Sequence, residues 1–188
     1  MPVIELHVMQ GYSDAEKTRL CNALTHAVRI VVPAPPEAVT VLVHELDPSG
    51  YMRGGQHRSP APALPDPIDL VRRYLSSMEA REIDRARALL SADFTMTFPG
   101  AAPMTTLEQL IAWAKPRYRF FTKTYQGFEA LQSPEEAAIV YCRGTLSGAW
   151  PDGSPFDGIR FIDRFEVTAG RITRQDVWND IAETKANA

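Results

Sequence analysis

A proline stands directly behind the first methionine and directly before a strand-like run, which makes Pro2 the first candidate for chemistry in this sequence. Methionine is removed during synthesis when a small residue follows it, so we expect the mature chain to begin with the free secondary amine of this proline. Burial beside Val3, Ile4 and Val41 would disfavour the ammonium form and lower the pKa of that amine toward neutrality. A base with such a pKa can take a proton from one carbon atom and return it to another.

Two acidic residues near the end of the chain form a second set of candidates, because each lies within a strand-like pattern. Asp163 shares a strand face with Phe161 and Phe165, and Asp180 shares one with Trp178. An acid on an apolar face is either a pocket residue with a raised pKa or one half of an ion pair. We favour the ion pair, for which three arginines are in reach of these strands: Arg143, Arg160 and Arg174.

The composition excludes several classes of function. The chain has 188 residues, of which 45% are hydrophobic and 23% charged, and its net charge is −3. Such a chain offers no basic field for a phosphate backbone, so we expect no nucleic acid partner and interpret the basic run at 115–125 as a solvated sheet face. We find no apolar stretch of the roughly 20 residues that a membrane span needs and no secretory signal, so we predict a cytoplasmic protein without a membrane partner.

The cysteines and histidines form no metal or redox motif. Cys21 and Cys142 are far apart in the sequence, and neither has a partner at metal-ligand spacing. We therefore interpret both as reduced packing residues and predict no metal site. His7 and His44 lie on predicted strands, where a structural or interface role is favoured over catalysis.

A proline-rich connector divides the chain. The composition changes at 54–67, where prolines and two glycines interrupt every periodicity. We predict a first domain at 1–57, a linker at 58–66 and a second domain at 67–188. The first domain is close to the size at which a single core becomes marginal, so we expect a homo-oligomer.

The first domain has the pattern of a β-α-β unit. Residues 4–8 alternate between apolar and polar types, as in a strand with one covered face. Ser13 and Glu16 form a capping box for a helix that must end before the prolines at 33–36. A second apolar strand is predicted at 38–46, and the helical crossover implies that the two strands are parallel.

The second domain has the pattern of an α+β fold, with helices first and a long antiparallel meander after them. We predict helices at 67–79, 82–91 and 105–116. We predict strands at 93–98, 117–131, 137–149, 156–168 and 171–181, with a turn at the sequence SPEE. Such an order indicates a curved sheet that wraps around helices.

The first domain resembles the 4-oxalocrotonate tautomerase family over residues 2–57. The resemblance rests on the proline behind Met1, on the G-x-S-D-x-x-K turn at 11–17, and on a hairpin that carries Tyr51 and then Gly-Gly. It implies a β-α-β subunit that assembles into dimers and often hexamers. It also implies that Pro2 is the general base of keto-enol tautomerisation on a small enolisable carbonyl compound, without a metal or an organic cofactor.

Two positions depart from the pattern of that family. Members that act on dicarboxylates carry arginines where this chain has Tyr12 and Thr40, so the usual cations for binding a carboxylate and polarising a carbonyl are missing. Arg53 is the nearby arginine that could replace them, and Tyr51 matches the aromatic residue of the family's pocket. These four residues are the predicted substrate-binding set. The departures also support a second hypothesis, in which the first domain is a catalytically weak oligomerisation module.

The second domain resembles the SnoaL-like branch of the nuclear-transport-factor-2 fold, through the stretches LVRRYLSSMEAREIDRARALLSADFTMTFPG and GIRFIDRFEVTAGRITRQDVWND. The resemblance implies a cone-shaped α+β barrel around an apolar ligand pocket, and frequent dimerisation. The predicted pocket residues are Phe98, Tyr118, Tyr141, Asp163, Trp178 and Asp180. The domain has no histidine for a cyclase-type pair, so a third hypothesis assigns catalysis to Asp163 or Asp180.

Overall fold

The computed structural model describes residues 1–133 and 137–186. The chain divides into two compact units, Met1–Ala63 and Leu64–Ala188, and the boundary lies inside the proline-rich connector. Of the turn predicted at SPEE, the last three residues lie outside the described part of the chain.

The first unit is a β-α-β structure, which confirms the predicted fold. Its elements in chain order are β1 (Val3–Met9), α1 (Asp14–Arg29), β2 (Thr40–Leu46) and the hairpin strands β3 (Met52–Arg53) and β4 (Gln56–His57). The first two strands pair in parallel. Ser13 caps α1, because its hydroxyl accepts a hydrogen bond from the Glu16 amide while the Glu16 carboxylate accepts one from the Ser13 amide.

The single chain leaves the apolar surface of the first unit incompletely covered. None of residues 1–63 is fully buried. On the sheet face opposite the half-buried Leu6, the side chains of Val3 and Leu42 are 56% and 42% exposed. The predicted apolar face of α1 is no better covered, since Leu24 and Val28 are only half-buried. The first unit therefore has only a small, partly covered core.

The second unit is an α+β fold, again as predicted. Its elements are α2 (Pro67–Glu79), α3 (Ile83–Arg87), β5 (Leu90–Thr97), α4 (Leu107–Ala114), β6 (Phe120–Gln132), β7 (Ala138–Ala149), β8 (Pro155–Thr168), β9 (Arg171–Asn179) and α5 (Ile181–Ala186). The strand order of the sheet is β5-β9-β8-β7-β6. Strands β6 to β9 form the expected antiparallel meander, and β5 joins β9 in parallel.

Several boundaries differ from the prediction by a few residues, and two of these differences have a visible cause. The helix predicted at 82–91 ends at Arg87, because the following residues pair with β9 instead. Just before β5, the Leu89 carbonyl accepts a hydrogen bond from the Ile172 amide. The last strand ends at Asn179, whose side-chain oxygen accepts a hydrogen bond from the Ile181 amide. That contact starts α5, a helix that the sequence pattern did not predict.

One continuous core joins the helices to the inner face of the sheet. Asp66 caps α2, and Pro67 occupies the first helical position, where its missing amide proton costs nothing. The helix buries one face against the sheet, through Leu70, Val71, Tyr74 and Leu75. On β8 every second residue is buried, from Ile159 to Val167. The strand therefore turns one face toward the helices and the other outward.

Gly144 marks a close approach between β7 and β6. A Cβ atom at this position would clash with the carbonyl oxygen of Thr124 and would lie 3.1 Å from the Cα atom of Tyr125. Both contacts are with backbone atoms, which cannot rotate away. The strand pairing here depends on glycine.

We expect Gly144→Ala to lower the free energy of unfolding of the second unit by about 1–3 kcal/mol, as overpacking does. The measurement is urea unfolding followed by near-UV circular dichroism. Gly50→Ala is the control, because an added Cβ at Gly50 meets no atom within 4 Å. Equal unfolding midpoints for the two variants would contradict the assignment.

Candidate functional site

Pro2 lies at one end of the two-stranded sheet, beside Thr40. The carbonyl of Pro2 accepts a hydrogen bond of 3.0 Å from the Thr40 amide, and the next residue, Val3, is in register with Thr40. Pro2 itself is half-buried. Two predicted site residues therefore meet here through the start of β1 and the start of β2.

The other three predicted residues of the first unit lie together at the opposite end of β1. Tyr12, Tyr51 and Arg53 line an open cleft of about 350 Å³. The Arg53 guanidinium donates a 3.3 Å hydrogen bond to the Tyr51 hydroxyl, and the Tyr12 hydroxyl donates one of 2.8 Å to the Ala61 carbonyl. The cleft thus combines two phenols with two guanidinium groups, because Arg58 also lines it.

One copy of the chain does not bring these two groups together. Strand β1 has seven residues, and at about 3.3 Å each they span roughly 20 Å or more between Pro2 and Tyr12. The sequence predicted a single site for Pro2, Thr40, Tyr12, Tyr51 and Arg53. The structure divides that set into a proline end and a cleft end.

The second unit contains a cavity of about 150 Å³ between α2, α4 and the inner face of the sheet. Three of the residues predicted for a pocket line it, namely Phe98, Tyr118 and Asp163. The other aromatic and polar residues that line it are Tyr74, Glu79, Arg81, Trp113, Phe121, Lys123, Tyr125, Phe161, Gln175 and Asn179. The walls are mainly apolar and rich in aromatic rings, and they carry both cations and carboxylates.

The other three residues predicted for the pocket do not line this cavity. Tyr141 follows Val140 and precedes Cys142, both buried, so its side chain is on the outer face of β7. Trp178 is 52% exposed, because Val177 occupies the inward position on β9. Asp180 lies beyond the end of the strand, where its carboxylate accepts a 2.6 Å hydrogen bond from Nε of Arg160.

A charged pair lies inside the cavity. The ammonium group of Lys123 forms an ion pair with Asp163, whose side chain is fully buried, while the side chain of Lys123 is 12% exposed. Gln175 Nε2 donates a long hydrogen bond of 3.5 Å to the same carboxylate oxygen, and the Tyr74 hydroxyl donates one of 3.2 Å to Gln175 Oε1. The ammonium nitrogen also lies 4.3 Å from the centre of the Phe161 ring.

The ion pair favoured for Asp163 is present, but the partner predicted for it was wrong. The three arginines that we considered bind other acids: Arg143 binds Glu129, Arg160 binds Asp180 and Arg174 binds Asp176. The interpretation of residues 115–125 as a solvated face was also wrong for Lys123. This residue alternates with Phe121 and Tyr125 on the partly buried face of β6, and that spacing was the available signal.

Burial keeps one phenol and one thiol near the cavity neutral. It raises the pKa of Tyr118 to about 12, so this residue remains a phenol at physiological pH. Burial first, and the charge of Asp163 second, raise the pKa of the Cys142 thiol to about 12. Neither group is a nucleophile at neutral pH.

The described residues contain neither a metal-binding cluster nor a membrane-spanning helix. No group of three or more histidine, cysteine, aspartate or glutamate side chains in this part of the chain is arranged to hold a metal ion. Within the same residues, no helix has the length and apolar character needed to cross a membrane.

Comparison with known families gives a match for each unit. Residues 2–58 match the family model described as "Tautomerase enzyme", and residues 71–175 match the one described as "SnoaL-like domain". A curated protein of Staphylococcus epidermidis named "Probable tautomerase" is 34% identical over 59 residues, which is 31% of this chain and 97% of the relative.

Solved structures similar to this chain have the NTF2-like fold. A protein of unknown function from Burkholderia pseudomallei aligns with a TM-score of 0.54 and 17% identity, over 63% of this chain and 94% of that protein. The structure of TerC co-crystallized with polyporic acid aligns with a TM-score of 0.52 and 12% identity, over 63% of this chain and 95% of that protein. These likenesses confirm the predicted fold.

We expect Lys123→Met to lower the free energy of unfolding by about 3–5 kcal/mol, because it leaves the buried Asp163 carboxylate without its counter-charge. The double variant Lys123→Met/Asp163→Asn removes both charges and should be more stable than Lys123→Met alone. Urea unfolding of the two variants measures the difference. The control is Lys115→Met, the same change at an exposed lysine. A double variant no more stable than Lys123→Met would contradict the pairing.

Proposed function

We propose, from the membership of this chain in the tautomerase family through residues 2–58 and in the SnoaL-like family through residues 71–175, that it is a tautomerase. Its mature N-terminal proline acts as the general base of keto-enol proton transfer on a small enolisable carbonyl compound. The observation that carries this proposal is the position of Pro2 at the head of a parallel β-α-β unit of the tautomerase type.

The proposed step needs only one titrating group. With Met1 removed, the ring nitrogen of Pro2 is a secondary amine with a lone pair. It takes the proton from the enol hydroxyl or from the carbon next to the carbonyl, and returns a proton to the other of these two positions. The substrate keeps its composition, and the amine ends in its starting state.

We propose that a second copy of the chain completes the site. The proline end and the cleft end are separated by the length of β1 within one copy, and the exposed sheet face that carries Val3 and Leu42 offers a surface for association. In such a homo-oligomer the cleft of one copy, with Arg53 and its phenols, would face Pro2 of another. The guanidinium would then stabilise the negative charge that develops on the enolate oxygen.

The charge of the cleft limits the substrate. Tyr12 and Thr40 occupy the positions of two arginines in family members that act on dicarboxylates, and Arg53 is the cation among the predicted substrate-binding residues. Arg58 also lines the cleft, so two guanidinium groups are present there, and we propose a substrate with one carboxylate that either of them can bind. Phenylpyruvate, an enolisable compound with one carboxylate, is a suitable probe.

We propose that the second unit binds a small, mainly apolar molecule in its aromatic cavity. The size and lining of the cavity support this role. In the competing hypothesis, the first unit only assembles the oligomer and the second unit provides the function. Loss of the two family arginines favours that hypothesis, and the following experiment separates the two.

We expect insertion of one alanine before Pro2, or Pro2→Ala, to reduce the conversion of enol-phenylpyruvate to the ketone by about 100-fold or more, as loss of a general base does. The assay follows the ultraviolet absorbance of the enol. Intact mass spectrometry of the unmodified protein should show that Met1 is absent.

The matched control is Pro33→Ala, which changes an exposed proline of the first unit and should leave the rate unchanged. Undiminished activity of the insertion variant would rule out the proline amine as the base. An unmodified protein with no activity would favour the assembly hypothesis.

We expect Leu42→Lys to convert the oligomer into a smaller species, because it places a charge on the exposed apolar sheet face of the first unit. Sedimentation velocity measures the change. The control is Leu131→Lys on β6, at a leucine that is 52% exposed in the second unit. An unmodified protein that sediments as a monomer, or a Leu42→Lys variant that sediments unchanged, would contradict the proposed assembly.

A further inference from the structure

We propose that Lys123 is the ligand-binding residue of the cavity in the second unit, and that it selects an aromatic compound carrying one anionic oxygen, as a carboxylate, enolate or phenolate. The inference rests on the ligand-pocket part of the proposed function and is independent of the role of Pro2. Lys123 was not among the residues that the sequence singled out. Its importance follows from where β6 places it.

Stability alone does not account for the charged pair. Asp163 is fully buried and Lys123 nearly so, and removing two charges from water costs free energy that their attraction repays only when every polar atom is satisfied. Here one carboxylate oxygen, Asp163 Oδ1, has no hydrogen-bond partner among the described residues. An apolar pair of the same size would stabilise the core equally well or better. The Lys123–Asp163 pair is therefore better explained by ligand binding than by stability.

The geometry separates the roles of the two residues. Asp163 borders the cavity but has no exposed surface, and its carboxylate is paired with Lys123, so it acts as a positioning residue. Lys123 keeps some exposed surface and lines the cavity. An ammonium group has three N–H donors. One of them is held by Asp163, and those that remain are free to meet an acceptor inside the cavity. Gln175 donates a hydrogen bond to the carboxylate, and Tyr74 donates one to Gln175.

The cavity defines the body and the charge of the ligand. Its volume of about 150 Å³ is about what takes up one benzene ring. Phe98, Trp113 and Phe121 give it aromatic walls, which suit a planar apolar ring. The positive charges of Lys123 and Arg81 are matched by the negative charges of Asp163 and Glu79, so the site does not have the excess positive charge that a dianion would need. A single anionic oxygen matches the free donors of the ammonium group.

Three probes of similar size test the inference by isothermal titration calorimetry: phenylacetate, phenylacetamide and propylbenzene. We expect the unmodified protein to bind phenylacetate about 10-fold or more tightly than phenylacetamide, since a hydrogen bond between charged groups is stronger than a neutral one. In Lys123→Met/Asp163→Asn this preference should be lost while propylbenzene still binds. Lys115→Met, at an exposed lysine, should keep the preference.

The single variant Asp163→Asn distinguishes binding from a structural role. It leaves the ammonium charge without a counter-charge, so the preference for phenylacetate over phenylacetamide should increase. A merely structural pair would change stability without changing this ratio. If Asp163→Asn does not fold, the double variant, which carries no unpaired buried charge, decides the question.

Three results would overturn the inference, and they have different meanings. Binding of propylbenzene without any preference for phenylacetate would reject the role of Lys123 and leave the ligand pocket standing. A preference that persists in the double variant would place the anion site elsewhere, for example in the cleft of the first unit. If none of the three probes binds, the proposed ligand pocket itself fails.

Discussion

The alternation of side chains across the long antiparallel sheet determines what the second unit can do. Because successive residues of a strand face opposite sides, a shift of one residue exchanges the inner and outer sets. This constraint places Lys123 between Phe121 and Tyr125 and turns it inward with them. It likewise turns Asp163 inward on β8. The cavity has its charged pair because two polar residues occupy apolar positions of this pattern.

The first unit is governed by a different constraint, the length of its first strand. A parallel β-α-β connection places the start of β1 beside the start of β2, so Pro2 and Thr40 meet directly. Because Tyr12 follows the last residue of β1, the cleft that it lines lies at the opposite end of this strand from Pro2. The unit therefore has no fully buried residue, and its predicted site residues are divided between the two ends of β1.

The sequence predicted the architecture better than the sites. Local signals were sufficient for α2, whose bounds of Pro67–Glu79 follow from the Asp66 cap and the apolar face of the helix. Local signals were insufficient for α5, because the start of this helix depends on the side chain of Asn179, the last residue of β9. For Trp178 and Tyr141, aromatic character suggested a pocket although the register turned them outward. Residue type predicted which side chains could bind, and register decided which of them do face the cavity.

Lys123 shows why a charged partner is harder to predict than a fold. Its neighbours in the sequence are basic and aromatic, and that composition is typical of a solvated strand face. The partner, Asp163, is 40 residues away and two strands across the sheet, so no local pattern joins them. Only the order β8-β7-β6, with Gly144 of the middle strand lacking a side chain, brings the two inward-facing residues to the same cavity. The specificity of such a site is therefore a property of the sheet topology, which arises from contacts distant in sequence.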